Sequence, residues 1–170
     1  MKSYKIIKIL ITTFVIILMV FLFDIIINIL LPDSIKKKIG FTRNYSLRTA
    51  EFHHELAPNI NINEFWGTKK YNVTTNDYGM RILKNKTQNL DIKRVHTGFI
   101  GDSFIYGSGI NYEEHFINTL QKEFPDLNLL NLGYVSYSPS IYFKRLEYFI
   151  KIKKIKFEKI FLFVDPSDIQ

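Results

Sequence analysis

The ten residues RVHTGFIGDS, at positions 94–103, decide the fold that this sequence predicts. The first seven, Arg94–Ile100, are rich in β-forming side chains and predict a strand. Gly101, Asp102 and Ser103 follow at once, and the residues after them predict a helical stretch. A serine at such a junction exposes its hydroxyl near backbone N–H groups of partial positive charge, which can hold an oxyanion. Asp102 and Ser103 are equally explained as turn and helix-capping residues, and spacing alone leaves both alternatives open.

The residues after this junction alternate between helical and strand patterns. Apolar side chains near helical spacing predict helices at His115–Phe124 and Tyr142–Ile152. Short apolar runs predict strands at Leu127–Leu132 and Ile160–Val164, and the second of these, apolar throughout, is typical of a buried parallel strand. The order β-α-β-α-β implies a parallel sheet with right-handed crossovers. Ligand sites in such sheets lie beyond the carboxyl ends of the strands. Polar or small residues are therefore expected to meet at one edge: Gly101–Ser103, Gly133 and Asp165–Asp168.

Residues 32–93 are polar and poorly periodic, and they predict short strands and loops before the parallel sheet. Tyr71–Thr75 has the composition of a strand, and a turn is expected over 75–81 with Gly79 at a positive φ. His53 and His54 are adjacent, so in a strand they would point to opposite faces and would not share a metal ion. No metal site is predicted.

The N-terminus contains the run Ile9–Leu31, which carries a single charge, Asp24. A bilayer core of about 30 Å needs about 20 helical residues, so the run is long enough to span it. Lysines precede the run, and no small-residue cleavage site follows, which indicates an uncleaved signal anchor rather than a buried core helix. Lysines also follow the run, so the charges alone do not orient it. Three segments are therefore predicted: an anchor at 1–31, a polar, β-rich lead-in at 32–93, and an α/β part at 94–170.

Composition excludes several classes of protein. The chain has 170 residues, no cysteine and a net charge of +7, with 46% hydrophobic and 23% charged residues. These values are ordinary for a globular protein and exclude a disordered tail, a disulfide scaffold, a thiol nucleophile and cysteine-ligated metal sites. The basic run at 151–156 is interpreted as a solvated helix end, and nucleic acid is not an expected partner.

Four short motifs together resemble the SGNH (GDSL-like) hydrolase superfamily, in its membrane-anchored bacterial form. FIGDSF at 99–104 resembles the first block of that family, and NLGY at 131–134 resembles the second. NDYGMR at 76–81 is similar to an Asn-x-x-Gly-x-Arg element that often precedes the first block, and FHHELAPN at 52–59 is similar to a stretch further upstream.

The resemblance implies a flavodoxin-like three-layer α/β/α sandwich with a parallel sheet, performing acyl transfer without a cofactor. Ser103 would attack an ester carbonyl, its own N–H and that of Gly133 would bind the oxyanion, and Asp102 would position the turn. Ser167 stands where the family's third block usually has an asparagine donor. The implied function is a serine esterase or O-acyltransferase on acyl esters of cell-envelope glycans, with its C-terminal domain outside the cytoplasm.

One expected catalytic element is missing from the sequence. The family's Asp-x-x-His lies near the C-terminus, and no histidine of this chain stands in that motif. His115, at a predicted helix start, is expected to be a surface or interface residue. The chain is therefore expected to be the N-terminal part of a longer enzyme and to be inactive alone, because a serine without a base is a poor nucleophile. The alternative is a non-catalytic, membrane-tethered binding module, or a decayed fragment, with the same fold.

Overall fold

The chain divides into two units, residues 1–43 and residues 44–170, which are described separately. The structure is a computed structural model, and it describes residues 2–31, 45–85 and 89–166. Helix α1, Lys2–Leu30, dominates the first unit. Over Tyr4–Leu30 its mean hydropathy reaches 2.9, and its side chains are exposed. The predicted N-terminal helix is thus confirmed, and it is long and apolar enough to cross a bilayer.

The second unit begins with two small antiparallel sheets. Strands β1, Ser46–Thr49, and β2, His53–Leu56, form a hairpin. Strands β3, Asn61–Trp66, β4, Lys69–Thr75, and β5, Arg81–Ile82, form a three-stranded sheet in that order. The strand predicted at 71–75 lies within β4, and Gly79 has a φ of +70° in the turn that follows.

A three-stranded parallel sheet follows, in the order β7-β6-β8. Its strands are β6, Val95–Ile100, β7, Leu129–Asn131, and β8, Lys156–Leu162. Between β6 and β7 lie α2, Ser103–Tyr106, a 3₁₀ turn, Tyr112–Glu114, and α3, Phe116–Glu123. Between β7 and β8 lie α4, Pro139–Glu147, and a π turn, Tyr148–Ile152. The predicted β-α-β-α-β order and parallel pairing are confirmed.

Side chains pack on both faces of this sheet. The larger cluster combines Leu56, Val73 and Met80 from the lead-in with Ile100 and Leu132 from the parallel sheet. The lead-in therefore shares one hydrophobic core with the sheet. A smaller cluster of Phe99, Ile105 and Ile117 lies on the other face, since neighbouring residues of a strand point to opposite sides. The structure is mixed α/β, and the flavodoxin-like sandwich stays a prediction.

Strand β8 differs most from its prediction. It begins at Lys156 rather than at residue 160, and its apolar residues 160–164 are between 36% and 56% exposed rather than buried. The physical reason is its place in the sheet: within the described residues, β8 pairs with β6 on one side only.

Candidate functional site

The carboxyl ends of the three parallel strands meet at one edge, as the sequence predicts. The N–H of Phe163, after β8, donates to the carbonyl of Ile100 at 2.9 Å, and the N–H of Tyr134, after β7, donates to the carbonyl of Gly101 at 3.4 Å. Gly101–Ser103 thus lies between the chain segments that leave β7 and β8. This edge is the candidate site, and Ser167 lies outside the described residues.

Ser103 is the first residue of α2, and Asp102 is the residue that caps it. One carboxylate oxygen of Asp102 accepts the N–H of Phe104 at 2.9 Å, and the other lies 3.5 Å from the Ser103 hydroxyl. Both side chains are half-buried, while Phe104 is 72% exposed beside them. The carboxylate therefore holds the turn that presents the serine at the helix N-terminus, where the free N–H groups lie.

Gly133 is placed against α2 by a side chain that sequence reasoning missed. The Asn131 side chain accepts the N–H of Gly133 at 3.0 Å and donates to the carbonyl of Ile105 at 2.7 Å. A Cβ at Gly133 would lie 2.7 Å from the backbone nitrogen of Tyr106, so only glycine allows this approach. The N–H of Gly133, which the resemblance assigns to an oxyanion, donates to the Asn131 side chain in this structure, and its catalytic role stays a prediction. The Asn-x-Gly pattern at the end of a predicted strand is the sequence signal that could have indicated this contact.

The buried guanidinium of Arg81 holds the other end of α2. Its Nη1 donates to the carbonyls of Tyr106 and Gly107, both at 2.8 Å, and its Nη2 donates to those of Asn72 and Ile110, both at 2.9 Å. These include carbonyls at the end of α2, which have no partner within the helix. Arg81 thus joins the lead-in sheet to the loop after Ser103.

The turn at 76–81 explains how Arg81 reaches that loop. The side-chain oxygen of Asn76 accepts the N–H groups of Tyr78 and Met80, at 3.0 and 2.9 Å. Gly79 completes the turn at positive φ, and a Cβ there would lie 2.3 Å from the Leu56 carbonyl oxygen. The Asn-x-x-Gly-x-Arg element is therefore a tight turn that delivers the arginine.

Aromatic rings and a buried acid surround Arg81. Its guanidinium lies 5.7, 5.0 and 5.6 Å from the ring centres of Tyr71, Tyr106 and Tyr112. The buried Glu64 accepts the hydroxyls of Tyr71 and Tyr106, and also that of Tyr45. Burial, and then the nearby carboxylate, raises the pKa of Tyr106, so its hydroxyl remains a donor. Nothing in the spacing of Glu64 in the sequence indicates this cluster.

His115 is buried, and its predicted surface or interface position is wrong. It is 2% exposed, and its Nδ1 caps α3 by accepting the N–H of Ile117 at 3.2 Å. Its ring stacks on Tyr112 with the centres 5.3 Å apart, and it packs so closely on Gly107 that a Cβ there would lie 2.3 Å from its Cδ2. Burial, and then the charge of Arg81, lowers the pKa of His115 to about 4.

His53 and His54 contact each other, so the prediction that they point to opposite faces is wrong. His53 has a φ of +90°, which breaks the alternation of the strand. The two Nδ1 atoms lie 2.6 Å apart, and Nε2 of His54 lies 2.8 Å from the Val135 carbonyl oxygen. A carbonyl only accepts, so we assign the proton of His54 to Nε2 and the shared Nδ1 proton to His53.

No histidine contacts Ser103 in the part of the chain that the structure describes. His96, at the far end of β6, bonds the Asp91 carbonyl at 3.0 Å, and the hydroxyl of Ser103 has Asp102 as its partner. The described residues also contain no group of three or more potential His, Cys, Asp or Glu metal ligands. Within the described residues, the site therefore presents a positioned serine whose hydroxyl meets the Asp102 carboxylate at 3.5 Å and no imidazole.

Comparisons with known proteins identify no similar protein. No family model, no curated protein and no solved structure matches the chain. Any function must therefore be argued from the geometry of the site and the sequence motifs.

We expect Arg81→Lys to destabilise the second unit by about 2–4 kcal/mol. A lysine ammonium cannot reach all four carbonyls, and a buried polar group left unpaired costs about 1–3 kcal/mol. Urea unfolding in mild detergent, followed by near-ultraviolet circular dichroism of the buried tyrosines, measures the change. Arg48→Lys, at an exposed position in β1, is the matched control and should change stability by no more than about 0.5 kcal/mol. Equal effects of the two substitutions would contradict the role of Arg81.

The stability of the second unit should fall as the pH drops from about 6.5 to about 4. In that pH range His115 becomes protonated in the unfolded chain but stays neutral in the folded chain, so the unfolded state binds more protons. The loss from this residue reaches about 3 kcal/mol, and the stability is fully present above pH 6.5. His115→Asn keeps an acceptor for the Ile117 N–H but cannot titrate there. Its urea midpoint should therefore depend less steeply on pH, and parallel profiles for the two proteins would refute the assignment.

Proposed function

We propose that the chain is a membrane-anchored serine esterase or O-acyltransferase of the SGNH type, acting on acyl esters of cell-envelope glycans. The single observation that carries the proposal is the position of Ser103, directly after the central strand of a parallel sheet and at the start of a helix. That helix is fastened at both ends, by Asp102 and by Arg81. The packing on both faces of the sheet supports the proposed flavodoxin-like sandwich.

The proposed reaction is acyl transfer through Ser103. Its Oγ would bond to the ester carbonyl carbon, and the alcohol of the ester would leave with the proton that Ser103 gives up. Water or a sugar hydroxyl would then take the acyl group from the serine, and the proton of that hydroxyl would return to Oγ of Ser103. The oxyanion would be held by the N–H of Ser103 and by that of Gly133, with Ser167 at the position of the usual asparagine.

A second candidate function is a non-catalytic, membrane-tethered binding module. It is favoured by two observations: the N–H of Gly133 is engaged by Asn131, and no histidine contacts Ser103 in the described part of the chain. A serine without a base remains protonated near neutral pH and reacts slowly.

Fluorophosphonate labelling separates the two candidates. In native membranes we expect Ser103 to be labelled covalently and Ser103→Ala to abolish the label, because the nucleophile is gone. Ser108→Ala, in the loop after α2, is the matched control and should keep the label. Labelling that survives Ser103→Ala would remove the enzyme proposal, and no labelling in native membranes would favour the binding module.

We further propose that α1 remains in the mature chain and that the second unit lies outside the cytoplasm. After alkaline carbonate extraction, the protein should stay in the membrane pellet, because the apolar helix is long enough to span the bilayer. A reporter fused after Gln170 that works only outside the cytoplasm should be active. Recovery in the supernatant would contradict anchoring. A reporter active only in the cytoplasm would show that the lysines after α1 determine the orientation.

A further inference from the structure

One side of α4 and the π turn exposes large apolar side chains among lysines. Phe143, Ile150 and Ile152 are 68%, 44% and 65% exposed. Three exposed lysines accompany them within the same twelve residues, and we call the six residues the basic–apolar face: Phe143, Lys144, Ile150, Lys151, Ile152 and Lys154. Scattered single apolar residues are normal on a protein surface, but three large ones on one short segment indicate a contact surface.

The local helix geometry explains why these side chains point outward. Arg145 and Phe149, four residues apart, are each 1% exposed and define the inward row. Phe143, Glu147 and Lys151 have the same spacing and form an outward row, in which Nζ of Lys151 lies 2.7 Å from Oε1 of Glu147. A π turn contains more residues per turn than an α-helix and is often found at functional sites. Phe149 can therefore stay inward while Ile150 and Ile152, which follow it in the turn, remain exposed.

The mixture of side chains selects one class of partner. A purely apolar partner would leave the lysines unused, and a nucleic acid would leave the exposed phenylalanine and isoleucines unused. The surface of an anionic bilayer uses both, because its headgroups attract ammonium groups while apolar side chains enter the boundary with the acyl chains. The sequence also contains α1, long and apolar enough to cross such a bilayer, and a tether to the bilayer would raise the local concentration of lipid.

We infer that the basic–apolar face binds the surface of an anionic phospholipid bilayer. The inference is independent of any catalytic role of Ser103. Each lysine close to an anionic surface strengthens association about fivefold. Since Glu147 pairs with Lys151 on the same row, the face carries two net positive charges, which contribute about 25-fold. This attraction is screened by salt, since the Debye length falls from about 10 Å at 0.1 M to about 3 Å at 1 M.

The absence of cysteine from the sequence allows a direct test with single labels. The full chain carrying Ile152→Cys, with an environment-sensitive fluorophore on that cysteine, is reconstituted into two kinds of vesicle. One contains phosphatidylcholine alone and the other also contains phosphatidylglycerol. In the anionic vesicles at low salt we expect a blue-shifted emission and protection from acrylamide, a neutral quencher. Both effects should disappear in phosphatidylcholine and at high salt.

Two control variants make the result specific. The label at Thr68→Cys, in the exposed turn between β3 and β4, should respond equally in all vesicles. The combined variant Lys144→Gln, Lys151→Gln and Lys154→Gln should lose the shift at position 152, with its near-ultraviolet circular dichroism unchanged. The inference is overturned if the position-152 label gives the same emission in both vesicles, or if the label at position 68 shifts as much. It is also overturned if a duplex oligonucleotide added to phosphatidylcholine vesicles gives the same shift, because the face would then bind polyanions in general.

Discussion

The buried guanidinium of Arg81 is the constraint on which the rest of the candidate site depends. Helix α2 is only four residues long, and so short a helix does not form without partners outside it. Asp102 supplies the partner at its N-terminus, and Arg81 supplies partners for the carbonyls at its C-terminus. Burying a charge is costly unless it is hydrogen-bonded; both Nη atoms of Arg81 donate to carbonyls, while its buried Nε has no hydrogen-bond partner among the described residues. Here four carbonyls and three tyrosine rings surround the charge, and two of those tyrosines bond to Glu64. The position of Ser103 is therefore set by residues of the lead-in sheet as much as by its own strand.

The charge of Arg81 also makes the loop after Ser103 sensitive to protonation of His115. His115 packs on Gly107, the residue that ends α2, and Arg81 bonds the carbonyl of Gly107. A proton on His115 would place a second positive charge next to a guanidinium that has no freedom to move away. Acid is therefore expected to weaken the packing of the loop after Ser103, whereas a surface histidine in the same sequence position would not have this effect.

Local patterns predict much of the fold but little of the pairing between side chains. Alternating helical and strand patterns correctly predict the parallel sheet, its three strands and the edge where Gly101–Ser103 lies. The sequence places the start of β8 too late, because Lys156 and Glu158 are polar and do not fit the pattern of a buried strand. On a partly exposed edge strand, polar residues are acceptable. The positions of His53 and His54 are mispredicted because a positive φ, which is rare outside glycine, breaks the strand rule. The contacts of Arg81, Glu64 and His115 join residues distant in the sequence, and no periodicity encodes them.

The engagement of Gly133 by Asn131 bears on whether this edge can perform acyl transfer. An ordinary hydrogen bond contributes about 0.5–1.5 kcal/mol net, and leaving the Asn131 oxygen unpaired costs about 1–3 kcal/mol. A donor to a developing oxyanion contributes about 2.7–4 kcal/mol. The cost and the gain cover overlapping ranges, so exchanging the asparagine oxygen for an oxyanion is close to neutral in free energy during a reaction. The side-chain nitrogen of Asn131 would still hold the Ile105 carbonyl, so the loop would keep its place beside α2 while the N–H changed partners. By this comparison the engaged N–H does not decide against the enzyme, and the proton acceptor for Ser103 is what distinguishes it from a binding module.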